Sequence, residues 1–234
     1  MKHFFLFLIV SFSASVSAEC YEFTPIKAQY SVTVEGKPST QFSIVRFNEH
    51  SVYYDYSSEG VGRYWHRLKN KRIATTHFFH EFKRSIEYEP SDLINARSFS
   101  WSKQYYLLSE VTKSKIDAMA DTKSCEKIYD NKKGDTNLHV VWSDRHQLPK
   151  DIEYTSNGVV THIRLLGISS NEQEITNLWS MLNGYQSTDY ADVGDNEADP
   201  FLRKMIRLGF VKHGASGFYD SEGHAMGHDA DHSH

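Results

Sequence analysis

The sequence has few features that would assign it a chemistry. It has two cysteines, Cys20 and Cys125, and no C-x-x-C pair, which argues against a disulfide-exchange catalyst. Basic residues form no cluster longer than Lys69 to Arg72, and the formal charge is -4, so a nucleic-acid-binding surface is not expected. After the first residues no apolar run approaches the roughly 20 residues a membrane-spanning helix needs. G-x-S-x-G, H-E-x-x-H, phosphate-loop and dinucleotide signatures are all missing. His80-Glu81 opens like a zinc-protease motif, but Arg84 stands where its second histidine belongs, and Ser216 in "GASG" lacks the spacing of a nucleophile elbow. These absences point to a non-enzymatic protein.

The amino terminus carries an address. Lys2 and His3 precede an apolar run from Phe4 to Val10, and Val16 and Ala18 occupy the small-residue positions of a cleavage site, the pattern of a secretory signal peptide. Cleavage is expected after Ala18, in a periplasmic or secreted protein. Glu19 before Cys20 does not suit lipid attachment, which demands a small residue there. Removing Lys2 takes the formal charge to -5. In an oxidising compartment the simplest pairing is a Cys20 to Cys125 disulfide, with two free thiols as the alternative. Closing a loop of about 100 residues would contribute on the order of 4 to 5 kcal/mol in the chain-entropy model.

What is present reads first as strands. Ile26, Ala28, Tyr30, Val32 and Val34 alternate with polar neighbours, a half-buried strand. "TQFSIVRF", "SVYYDYS", "GRYWHRL", "RIATTHFF" and "FKRSIEY" follow, so an antiparallel meander is expected. "KNKR" is read as a solvated turn. Trp101, Tyr105 and Leu108, continued by Ile116 and Met119, shift to helical spacing, giving one or two helices over 100–121. Strands resume at "EKIYD" and "TNLHVVW", and Asn157-Gly158 marks a two-residue hairpin turn. Beyond Ile168, Ser170 and Gln173 form a capping box, Ile175, Leu178, Trp179 and Leu182 share a face, and Gly184 stops the helix. A second helix is expected from Pro200 to about Gly209, capped by Asp199. The division predicted is residues 1–18 signal peptide, 19–168 sheet domain, 169–211 helical extension and 212–234 disordered tail.

The stretch "HVVWSDRHQLPKDIEYTSNGVVTHIRLLGI", with its strand ending in Trp142, its Leu148-Pro149 and its hairpin, resembles the carboxy-terminal strands of periplasmic LolA/LolB-like proteins and related uncharacterised periplasmic families. The resemblance covers layout over residues 26 to 168 and carries no site residue. It implies an α+β fold: a strongly curved antiparallel sheet, an open half-barrel of about ten strands here, with helices packed on it.

Two features could carry function. Aromatic residues make up 14% of the chain, and on the inner face of a half-barrel they could receive a lipid or other apolar ligand. They could equally be strand residues filling a core. The second feature is the end of the chain, where His224, His228, His232 and His234 could gather Cu(II), Ni(II) or Zn(II). His77 and His80 are three apart on a strand, face opposite sides and are read as satisfied or surface histidines. Asp192, Asp195, Glu197 and Asp199 lack the glycine and final glutamate of an EF-hand. The expected function is therefore a binding or carrier module for an apolar ligand or a protein partner, the alternative being a periplasmic metal buffer or chaperone that uses the histidine tail.

Overall fold

The structure, a computed structural model, describes residues 20–93, 99–120, 122–196 and 198–207. Eleven strands form one sheet: β1 (Ile26–Val34), β2 (Thr40–Asn48), β3 (Ser51–Tyr56), β4 (Val61–Arg67), β5 (Ile73–Phe79), β6 (Arg84–Tyr88), β7 (Glu126–Lys133), β8 (Thr136–Ser143), β9 (Leu148–Ser156), β10 (Val159–Ser169) and β11 (Gln186–Asp189). Among the described residues four α-helices accompany them: α1 (Trp101–Tyr106), α2 (Glu110–Asp117), α3 (Glu172–Asn183) and α4 (Pro200–Arg207).

The first six strands are the expected meander. β1 then serves a second purpose, because its free edge accepts β10, joining the meander to β10, β9, β8 and β7. The far edges are β7 and β11, which do not pair with each other, so the sheet stays open. All pairings are antiparallel except that of β11, which runs parallel to β6. Asn157 and Gly158 take φ of 51° and 78°, the left-handed conformations that a tight hairpin turn requires.

Because side chains alternate across a strand, the register defines two faces. On the first, Ile26, Arg46, Val52, Trp65, Thr75 and Tyr88 lie in one cross-strand row. This face is covered by α1 and α2 toward one edge and by α4 toward the other, where Phe201, Leu202 and Met205 pack on Phe79, Ile86 and Tyr88. Asp199 caps α4 as expected, accepting from the Phe201 amide at 2.8 Å. Leu107 (φ 59°) separates α1 from α2, so the segment read as one or two helices is two.

Arg46 fastens α1 to the sheet. Fully buried, its guanidinium donates to the carbonyl oxygens of Tyr105, His146 and Gln147 and stacks 4.2 Å from the centre of the Tyr105 ring. A buried charge is tolerable only when its donors are used, and here carbonyl dipoles fill that role. The Cys20–Cys125 disulfide is formed across 105 residues and ties the start of the described chain to the strand preceded by α2.

Three expectations need correcting. The segment read as helical extension also contributes a strand, β11, to the sheet, which has eleven strands among the described residues where about ten were expected. The cap of α3 is Asn171, whose side-chain oxygen accepts from the Gln173 and Glu174 amides at 3.1 and 3.2 Å, and not Ser170, because the chain enters the helix one residue later. His77 is neither satisfied nor at the surface: it is buried against Tyr88, and its Nε2 has no hydrogen-bond partner among the described residues.

Candidate functional site: a cleft beneath the third helix

The aromatics of the first face are core. Tyr30, Tyr54, Tyr105 and Trp142 are each at most 5% exposed; α1 and α2 already occupy the space against them, and Phe42 stacks between Tyr30 and Tyr54 at centroid distances of 5.4 and 5.9 Å. Space for a ligand lies on the opposite face.

There the row Val45, Tyr53, Tyr64, Thr76 and Glu87 crosses β2 to β6, with Phe78, Ser85 and Ser187 in the row beside it. α3 lies over this surface, seating Ile175, Leu178 and Leu182 on Val45, Tyr53 and Phe78. Lys27 of β1 anchors it by an ion pair of 2.7 Å to Glu174, and this contact lowers the Glu174 carboxyl below its ordinary value. Trp179 reaches down from α3 and meets Phe47 and Tyr64 at 5.0 and 5.2 Å between ring centres.

Two cavities flank this wedge and share Tyr64 and Trp179. One, of 450 Å³, runs under the end of α3 between Tyr64, Phe78, Trp179 and Tyr185, with Ser85, Glu87, Glu89 and Ser187 among its polar wall. The other, of 490 Å³, lies toward the start of the helix between Pro25, Phe47, Ile175 and Trp179, with Asn48 and Glu172 at its edge. Both volumes fall in the roughly 300 to 1,000 Å³ range of small-molecule sites, and aromatic walls with a few polar groups are the usual lining of such sites.

A small network holds the far wall. His80, in the turn after β5, places Nε2 2.9 Å from the Tyr53 hydroxyl and Nδ1 2.9 Å from the Tyr185 hydroxyl. Burial lowers the imidazole's pKa, against the opposing pull of Asp55 at 3.9 Å. A neutral ring suits this position, since one nitrogen can accept from a tyrosine while the other donates to the second. Gly62 makes the arrangement possible, because a Cβ there would sit 2.1 Å from the Tyr53 hydroxyl oxygen. Of these residues only His80 stood out in the sequence, and there as a satisfied or surface histidine, although a glycine inside a strand is itself a signal of close approach.

His224, His228, His232 and His234 lie outside the described residues, as do residues 1–19 with the expected signal peptide, and Ser216 and Glu197. Among the described residues, no group of three or more His, Cys, Asp or Glu side chains is arranged to hold a metal ion. No described helix is long and apolar enough to cross a membrane.

No protein-family model and no curated protein matches the chain. Among solved structures it is similar to PNGF-II, with a TM-score of 0.38 and 11% identity over 71% of this chain and 31% of that one. It thus spans about a third of that protein's length. A more distant likeness is to a LolA superfamily protein of Nitrosomonas europaea, with a TM-score of 0.19 and 8% identity over 64% of this chain and 87% of the other.

Proposed function

We propose that the chain is a non-enzymatic binding or carrier module of the periplasm or the extracellular space, its open sheet curved as a half-barrel, and that it receives a small ligand with an apolar body in the cleft beneath α3. The observation that carries this reading is the pair of aromatic cavities divided by Trp179. A side chain lodged between Phe47 and Tyr64 and lining both spaces can contact a ligand in either, and an apolar ligand body gains by leaving water there. The first face, which invited the same reading in the sequence, supports it less, because its aromatics are already packed.

The test is native mass spectrometry of the full chain purified from its own host. The expected result is a small non-covalent adduct on the wild-type protein that is lost from Trp179→Ala while the fold, followed by circular dichroism, persists. An adduct equally abundant on both proteins would move the site elsewhere, and bare protein in both would remove the reading.

A further inference from the structure

Resting on the reading of the cleft as a ligand site, we infer that its 450 Å³ chamber selects an organic cation, an alkylammonium group carried on an apolar stem. Glu87 and Glu89 line this chamber and no lysine or arginine does. Among the described residues neither carboxylate pairs with a cation: Glu87 accepts a hydrogen bond from Ser187, and the Glu89 carboxylate has no partner. Several acids elsewhere on the same sheet and its helices are answered by cations, Glu126 by Lys150, Asp151 by Arg164, Glu174 by Lys27 and Asp199 by Arg84. The two glutamates place unneutralised charge at the mouth of an aromatic space.

Ser85 supplies an independent sign. The residue is 3% exposed, it lines the chamber beneath Glu87 and beside Ser187, and its hydroxyl, which makes no hydrogen bond among the described residues, opens on that space. A serine hydroxyl that opens on a cavity and is not used by the protein can accept from a ligand donor placed there. An ammonium group placed there would donate to Ser85 and face the two carboxylates. Tyr64, Phe78, Trp179 and Tyr185 would surround it with ring faces, which attract cations through their negative π surface. Its apolar stem would follow Tyr64 and Trp179 toward the second cavity, whose walls include Phe47 and Ile175.

Three probes sharing one stem separate charge from burial: phenylbutylammonium, phenylbutanol and phenylbutyrate, titrated into the full chain by calorimetry. The inference expects the ammonium to bind at least about tenfold tighter than the alcohol, with the carboxylate weakest. The exposed pair Glu87→Gln and Glu89→Gln should abolish that preference, so that ammonium and alcohol bind the double variant alike, and thermal melting checks that the double variant folds. Equal affinity for ammonium and alcohol, or a preference that survives the double substitution, overturns the inference while leaving the cleft as a site. If none of the three probes binds, both this inference and the reading it rests on fail.

Discussion

At the scale of single residues, burial sets protonation. His77, His80 and His146 all have pKa values lowered below the ordinary 6.5, in each case chiefly by burial; for His77 the nearby Arg63 adds to the effect, and for His146 Arg145, Arg46 and Lys150 do. The unfolded chain protonates these imidazoles near 6.5, whereas the folded one keeps them neutral to lower pH. The unfolded state therefore binds more protons as pH falls, and stability declines from about 6.5 downward and is level above it. Urea titrations at pH 7.5 and 5.5 should show this loss, and His77→Phe, which retains an aromatic ring against Tyr88 and removes the unpartnered Nε2, should lose less on acidification. An equal loss in both proteins would clear His77 of the effect. The alternation read His77 and His80 as facing opposite sides of one strand, whereas β5 ends at Phe79 and His80 lies in the turn that follows. That His80 would lodge between two tyrosines more than 100 positions apart depends on long-range packing, which local periodicity does not encode.

At the scale of elements, the strands and amphipathic helices were legible because each repeats a local rule: alternation in β1 to β6, Asn157-Gly158 for the hairpin, Asp199 and Pro200 for the start of α4. β11 was not legible. Its four residues, Gln-Ser-Thr-Asp, have no apolar alternation, and they are extended because β6 offers a free edge after α3 ends at Gly184. The cleft was hidden for the same reason, since it needs α3, β6 and β11 together. Arg46 illustrates the reverse case, a charged residue in a strand whose meaning is anchorage of a helix. Arg46→Ala should cost about 3 kcal/mol, near the upper end for a hydrogen bond to a charged group because three carbonyl oxygens lose their donor while the desolvation cost of the guanidinium disappears. Arg46→Lys should rescue little, because a single ammonium does not reproduce the guanidinium fork. Chemical denaturation of the two variants checks both statements, and a stable alanine variant would show that α1 is held by Tyr105 and its neighbours alone.

At the scale of the whole molecule, one open sheet separates two kinds of interior. The first face carries the residues of the sequence pattern noted at the start, Trp142 and Leu148 fully buried and Pro149 accepting from the Tyr30 hydroxyl through its carbonyl. That pattern therefore reports core packing. The second face is only half covered, because α3 spans β1 to β6 and leaves β7 to β10 facing solvent, with side-chain pairs such as the hydrogen-bonded Asp130 and His139 and the ion pair of Asp151 with Arg164. Composition pointed to an aromatic-rich sheet, and it could not say on which side the aromatics would be left with room. The most direct test of the account is an amide NMR titration of the full chain with phenylbutylammonium. It predicts saturable shifts at Tyr64, Ser85, Trp179 and Ser187 with none at Tyr30 or Tyr105; shifts confined to the α1 and α2 side of the sheet, or no saturable shift at all, would contradict it.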